Sequence, residues 1–421
     1  MVLDYLWGQK ESFEVVDKYK HDKPKTIVIN FDGSSQEPAN AVQSKSESDE
    51  QPLYTGVGGI SNVCKLHLIA GGNIGCSRNY FEDQLPLYYS GVGTRGSEIG
   101  QLIRNIPGFS SGFAMDYIAE LAWKDLEKVY NKGDKVFIFG FSRGAATARL
   151  FISYLSKNPC KGCDKVDFLG VFDTVVESLK YSLGTDIKNL DFGDKVDSSL
   201  PDIVKRAVHF CAIDEYRYVM DPTLFNDDPK NRVTEIWCPG CHSDVGGGYY
   251  HDGISDTVLN CMMIEAKKAG LKCREITEEM CKNEDDNIVK TDPPPTGFDV
   301  EKFKKFDKDM KIEPDGLDPD IHDEYQGGFA MPCLNWINGF EHRKIVVMKD
   351  DKPSDKPILL LDIAVERAKK FKLDEVPPIG NSYGTKKYRP EHLKGVKYRV
   401  VNSKDMSVSD EVYVIEDQVE W

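Results

Sequence analysis

The chain is predicted to fold as an α/β protein, with a mostly parallel central sheet, helices on both faces, insertions and a C-terminal extension. Three observations predict it. Short apolar runs rich in Val, Ile and Phe alternate with segments of helical periodicity, the pattern of a parallel sheet buried on both sides. Lys135-Val136-Phe137-Ile138-Phe139-Gly140-Phe141 runs straight into Ser142-Arg143-Gly144 and an Ala-rich helix. Finally, Asp32, Ser142, Asp173, Asp214 and His242 each follow a predicted strand, and functional groups of open parallel sheets gather beyond the carboxyl ends of strands.

With 421 residues there is ample material for a large core. The expected organisation is a core over 1–275, a charged Pro/Gly-rich excursion or linker over 276–326, and an α+β extension over 327–421 packed on the core. A net charge of -15, from 54 basic and 69 acidic side chains, argues against a nucleic-acid partner. No apolar run approaches the length of a membrane span. Met1-Val2-Leu3-Asp4-Tyr5-Leu6-Trp7 lacks the features of a secretory signal, so a cytoplasmic location is expected, with export by a signal-less route left open. Eleven cysteines in so long a chain read as buried thiols of a reducing compartment rather than a disulfide framework.

In chain order, Lys25 to Phe31 is a β-branched strand stopped by Asp32-Gly33-Ser34, and residues 35–53 form a polar surface loop. Ser61 opens a helix, and Gln84 to Tyr89 is a strand running into a glycine-rich loop, Gly91 to Gly96, without phosphate-binding spacing. A long amphipathic helix over 112–131 places Phe113, Tyr117, Leu121, Leu126 and Val129 on one face. After Ser142 come strands at Val166 to Val175, Ala207 to Ile213 and Val233 to Cys238, with residues 180–203 as loop between the first two. Pro239 to Tyr249 is read as a glycine-rich loop, and Ser255 to Ala269 as a helix. The extension carries short strands at Lys344 to Met348, Tyr398 to Val401 and Val412 to Ile415, and a helix at Ile363 to Phe371.

Gly140-Phe141-Ser142-Arg143-Gly144 sits between strand and helix, the context in which Gly-x-Ser-x-Gly means a sharp turn presenting a nucleophilic serine. Such a turn strains the serine backbone and sets its hydroxyl at a helix N-terminus. A serine nucleophile needs an imidazole to take its proton, and the imidazole needs a carboxylate to fix its tautomer. His242, followed by Gly246-Gly247-Gly248, is the candidate base; His209, in mid-strand, is read as a core histidine. The acid is Asp173, with Asp214 the alternative. Arg217, three residues beyond Asp214, suggests a structural ion pair there. The oxyanion hole would use the Arg143 N–H with an N–H from Gly33 or Ser34. The order Ser142, Asp, His242 is that of α/β hydrolases. Cys160/Cys163 and Cys238/Cys241 have C-x-x-C spacing, but the strands between the pairs are unlike a compact zinc ribbon, and no metal or other cofactor is expected.

Taken together, Phe31 to Ser34, Ser61 to Leu66, Tyr88 to Thr94, Gly140 to Arg149, Gly170 to Val175, Ala212 to Arg217, Trp237 to Tyr249, Ser255 to Ala269 and Tyr388 to Leu393 resemble the α/β-hydrolase domain of bacterial type VI secretion phospholipase effectors. The resemblance implies a Ser–Asp–His esterase or phospholipase, with Ser142, Asp173 and His242 in those roles. Ser34-Ser35 stands where the family usually has Thr-Trp, and cysteines replace apolar residues beside His242.

The expected function is a serine hydrolase acting on carboxylic esters, of a lipid or phospholipid, through an acyl-enzyme on Ser142. A transient contact with a membrane surface and a larger assembly are compatible with it. The rival is a non-catalytic binding or structural subunit of the same fold; a weaker third reading takes the aspartates as a metal-assisted phosphatase site.

Overall fold

The computed structural model describes residues 23–34, 60–72, 80–92, 111–176, 199–217, 220–249, 253–275, 314–316, 343–370 and 393–415. The expectations for 35–53, Gly93 to Gly96, 180–198, nearly all of 276–326 and Tyr388 to His392 lie outside them.

Eleven strands and six helices are described in chain order. They are β1 (Thr26–Phe31), α1 (Asn62–Ile69), β2 (Gln84–Tyr89), α2 (Ser111–Val129), β3 (Lys135–Phe141), α3 (Arg143–Lys157), β4 (Phe168–Phe172), β5 (Ala207–Ala212) and β6 (Val233–Cys238). There follow α4 (His242–Gly246), α5 (Gly253–Ala269), β7 (Val347–Lys349), β8 (Lys352–Ser354), β9 (Ile358–Leu361), α6 (Asp362–Lys370), β10 (Lys397–Val401) and β11 (Tyr413–Val414).

Nine of these strands form one sheet in the order β2-β1-β3-β4-β5-β6-β9-β10-β11, parallel throughout except for the final β10–β11 pair. β7 and β8 pair as a separate antiparallel hairpin. From β1 the chain goes first to one side, as β2, and then to the other, as β3. That reversal opens a crevice at the carboxyl ends of β1 and β3, where ligands of open α/β sheets bind. Pro86 lies within β2; because β2 is the outer strand, its missing N–H costs the ladder nothing.

Residues of one strand alternate between two cores. Val28, Phe137, Phe139 and Phe141 pack with Val63, Leu66, Val258 and Met262 of α1 and α5. Ile27, Ile29, Val136 and Ile138 pack with Ile118, Leu126, Phe151 and Ile152 of α2 and α3. The sheet is therefore covered on both faces, and its strands read as continuous apolar runs rather than alternating ones. On α2, Leu126 and Val129 are buried as expected, and so are Met115, Ile118, Ala119 and Ala122, whereas Tyr117 and Leu121 are only half-buried.

Ile358–Leu361 pairs in parallel with β6, so the extension continues the central sheet, and Trp237 of β6 shares a core with Leu360, Ala364 and Tyr398. β8 and β9 were not anticipated; Lys352-Pro353-Ser354 and the four-residue Ile358-Leu359-Leu360-Leu361 are too short for a period to be read.

Several ion pairs among the described residues are fully buried, and one of them ties α1 to α5. Lys65 Nζ of α1 donates to Asp256 Oδ1 of α5 at 2.9 Å, with both side chains fully buried. Removing one partner of such a pair strands the other charge. Lys65→Met is expected to lower stability by about 3 kcal/mol in denaturant unfolding, and Lys65→Met with Asp256→Leu to recover most of that loss. A double variant no more stable than the single one would count against this account.

Candidate active site

β3 ends at Phe141 and α3 begins at Arg143, leaving one residue for the turn. Ser142 makes it at φ 56, ψ -129, a left-handed conformation that costs a non-glycine residue about 1–3 kcal/mol. Neighbouring backbone holds it there. Its N–H donates to the Phe172 carbonyl at 3.1 Å, and its carbonyl accepts from Ala145 at 3.0 Å and from Val175 at 3.4 Å. The flanking glycines are dictated by close passage. A Cβ on Gly140 would lie 2.6 Å from the Ala145 Cα, and one on Gly144 2.2 Å from the Asp32 carbonyl oxygen. Gly144 thus lets the first turn of α3 press against the end of β1.

The register Phe141↔Phe172 puts Ser142 and Asp173 at equivalent positions on adjacent strands. Asp173 also has a positive φ, 38, and is fully buried. Its carboxylate receives four hydrogen bonds. Oδ1 accepts from the Ala212 N–H at 2.9 Å and from Arg343 Nη1 at 2.7 Å. Oδ2 accepts from Arg343 Nη2 at 2.9 Å and from His242 Nδ1 at 2.6 Å. Burial alone would raise its pKa, but the Arg343 charge and the His242 bond outweigh that and hold the group well below the usual carboxylate range. A carboxylate only accepts hydrogen bonds, so His242 carries its proton on Nδ1 and keeps its basic lone pair on Nε2.

His242 is not in a loop, as expected, but is the first residue of α4. Cys241 is the cap, and Asp244 Oδ2 reaches back to the Cys241 N–H at 2.9 Å, a capping box that sets the helix start at His242. The imidazole lies against the Phe141 ring, centroids 4.6 Å apart, beside the residue that precedes Ser142.

The electrostatic reason for setting Asp214 aside is corrected by these contacts. Arg217 closes a bidentate fork on Glu215, Nε to Oε1 and Nη2 to Oε2 at 2.7 Å each. The carboxylate gripped by an arginine beside His242 is Asp173 itself, and an arginine partner therefore does not mark the structural aspartate. Asp214 Oδ2 accepts the Gly240 N–H at 2.6 Å, while its own N–H donates to the Gly240 carbonyl at 3.0 Å. That clasp fixes the turn leading into His242. Neither Arg343 nor Glu215 was picked out from the sequence. Arg343 stands in a charged stretch, Glu341-His342-Arg343-Lys344, 170 residues from its partner, and no local pattern marks it.

After β1, the Gly33 N–H donates to the Asp32 carboxylate at 2.7 Å. It is thus engaged, which leaves Ser34 as the other N–H anticipated from that turn. Arg143 approaches the same turn, its Nε donating to Ser34 Oγ. Asp32 also accepts from the Tyr88 hydroxyl and from Ser61, the residue whose hydroxyl caps α1 by accepting the Cys64 N–H at 3.0 Å. Burial pushes the Asp32 carboxyl up to about 6, against the opposing pull of the Ser61, Tyr88 and Gly33 bonds.

Among the described residues, the cluster with three potential metal ligands is His209, Cys211 and Glu235, not the C-x-x-C pairs. Both His209 nitrogens are used: Nε2 accepts the Thr174 N–H at 3.1 Å and Nδ1 meets Glu235 Oε2 at 2.8 Å. Burial raises the Cys211 thiol well above its ordinary range, keeping it protonated. His209 sits in the core, 0% exposed, as its mid-strand position implied.

Residues 25–160 and 154–265, more than half of the chain, match the family model described as T6SS, phospholipase effector Tle1-like, catalytic domain. No curated protein matches the chain. Among solved structures, an uncharacterized protein from Pseudomonas aeruginosa aligns at 17% identity and a TM-score of 0.38, over 69% of this chain and 52% of that one; the chain spans about half the length of that protein. The Tle1 effector bound to the VgrG spike from the type VI secretion system aligns at 17% identity and a TM-score of 0.38, over 78% of this chain and 86% of that one.

The raised pKa of Asp32 has a measurable consequence. A carboxyl that holds its proton to about pH 6 when folded and to 3.8 when unfolded favours the folded state most below pH 4. That advantage is lost as pH rises from about 4 to about 6, amounting to about 3 kcal/mol. Asp32→Asn removes this titration. The unfolding free energy of the variant relative to wild type is therefore expected to rise by about 3 kcal/mol between pH 4 and pH 7. A difference independent of pH would contradict it.

Proposed function

Because the chain belongs to the Tle1-like catalytic-domain family of type VI secretion phospholipase effectors, we propose that it is a serine hydrolase that cleaves carboxylic esters of lipids or phospholipids through an acyl-enzyme on Ser142. The observation that carries the reading is the 2.6 Å contact between His242 Nδ1 and Asp173 Oδ2 at the strand end next to the strained turn at Ser142. The lipid character of the substrate rests on the family.

In this reaction His242 Nε2 takes the Ser142 Oγ proton as the hydroxyl attacks the ester carbonyl. The negative charge that develops on the carbonyl oxygen is proposed to be met by the Arg143 N–H at the N-terminus of α3 and the Ser34 N–H of the turn after β1. Collapse releases the alcohol, which takes the proton from His242 and leaves an acyl group on Ser142. A water activated by the same imidazole then attacks the acyl carbonyl, releasing the fatty acid and restoring the serine. Asp173 stays ionised throughout, held so by Arg343, and steadies the imidazolium. No step calls for a metal. Among the described residues no helix is long and apolar enough to cross a membrane; access to a phospholipid is proposed to be a transient surface contact. A cytoplasmic location, or release by a route without a signal sequence, remains part of the proposal.

A fluorophosphonate probe is expected to label the wild type and not Ser142→Ala, and hydrolysis of p-nitrophenyl esters and phospholipid vesicles to follow the labelling, unaltered by chelator. Well-folded wild type that resists the probe would sink the reading in favour of a binding subunit, and loss of hydrolysis in chelator would favour the metal-assisted alternative. Asp173→Asn is expected to lower kcat on the order of 10⁴-fold, whereas Asp214→Asn loosens the turn at Gly240 and mainly lowers the melting temperature. The reverse pattern would exchange the two aspartates.

A further inference from the structure

We infer that Arg343 is a positioning residue of the proposed reaction: it fixes the plane of the Asp173 carboxylate and opposes the charge that forms on His242. This rests on the serine-hydrolase reading above and extends it to a residue beyond the segment that matches the family model.

The geometry is that of a clamp. Nη1 and Nη2 of Arg343 bond Oδ1 and Oδ2 of Asp173 at 2.7 and 2.9 Å, the fork-to-fork arrangement that fixes a carboxylate in its plane. The guanidinium is itself held by two backbone carbonyls, Ala212 at 2.8 Å and Met220, and is 2% exposed. Oδ2, the oxygen that receives the His242 proton, is thus oriented by an arginine whose own position is determined by β5 and the segment after it. Rotation of the carboxylate would turn the imidazole with it and misdirect Nε2.

The charge matters as well. When His242 takes the serine proton, a cation appears beside a carboxylate whose charge is already shared with Arg343. The other groups facing the pair are Glu215 with its partner Arg217, Asp214 and Asp244 at the turn and first turn around His242, and the Cys211 and Cys238 thiols, which burial keeps protonated. Glu215 also feels the charges of His242 and Arg343, but Arg343 is the positive charge bonded directly to the Asp173 carboxylate that His242 meets. Removing a positive charge beside such a pair makes it easier to place another there, which a pH profile of the reaction reads.

A bare structural counter-ion for Asp173 predicts lost stability only, whereas the positioning role predicts a kinetic signature. In Arg343→Gln the acidic limb of the kcat/KM profile is expected to move up by about one pH unit, with kcat at the optimum down about tenfold or more, as part of what a well-placed base supplies, and KM nearly unchanged. Arg343→Lys keeps the charge but cannot span both oxygens; its acidic limb should stay in place while kcat falls. In the Asp173→Asn background, Arg343→Gln should cause no further loss of kcat, because its effect is transmitted through Asp173. Fluorophosphonate labelling of the wild type is measured alongside. An unlabelled wild type removes the serine-hydrolase reading itself. A labelled wild type with unchanged kcat and pH limb in Arg343→Gln, or an equal loss in the Asp173→Asn background, removes the role of Arg343 alone. Should Arg343→Gln not fold, Arg343→Lys decides: reduced kcat at unchanged KM supports the inference, and wild-type kcat overturns it.

Discussion

A fully buried, ionised carboxylate at the centre of a parallel sheet is the constraint around which this fold is arranged. Asp173 has no exposed surface, and an uncompensated charge in that position is not tolerable. Its four donors come from separated parts of the chain: the Ala212 backbone at the end of β5, the first residue of α4, and two arms of Arg343. Each donor requires its own element to be in register. The carboxylate therefore works as a gauge of correct assembly, since three segments satisfy it only when β4, β5 and the C-terminal segment lie where they do.

Strain and support are paired at the neighbouring position. Ser142 and Asp173 both carry positive φ at matched ends of adjacent strands, and backbone bonds tie the two turns together through Phe172 and Val175. Close glycine contacts at Gly140 and Gly144 press strand, turn and helix into one block. Asp32 does for the first turn what Asp173 does for the second, joining β1 to β2 through Tyr88 and to the cap of α1 through Ser61. Buried carboxyls at successive strand ends thus organise the mouth of the crevice, one kept ionised by an arginine and the other pushed toward its neutral form by burial.

Much of this was legible from local pattern. β1, β3, β4, β5 and β6 were marked by apolar runs, and the turn at Ser142 by glycines whose necessity is now explained by contacts to Ala145 and Asp32. What escaped were features set by distance in sequence. Arg343 meets Asp173 from 170 residues away, and β9, too short to show a period, pairs with a strand more than a hundred residues before it, at Ile236↔Leu359. The bidentate fork of Arg217 on Glu215 joins two side chains only two residues apart, a pairing that no periodic pattern signals. His242 was read as loop because glycines follow it; the capping box that starts a helix there lies in the side chain of Asp244 rather than in any run of helix formers.

The separation of Asp173 from Arg343 also bears on how the molecule is made. At a synthesis rate of about 5–20 residues per second, the 170 residues between them take roughly ten to thirty seconds to appear. At the start of that interval only β1 to β4 exist as chain, β5 and β6 follow during it, and throughout the negative charge at the end of β4 has neither of its guanidinium bonds. The early half of the protein must wait with its central strand end solvated or loosely packed. Final burial of that strand end is therefore a late event of vectorial folding, timed by the emergence of the C-terminal third.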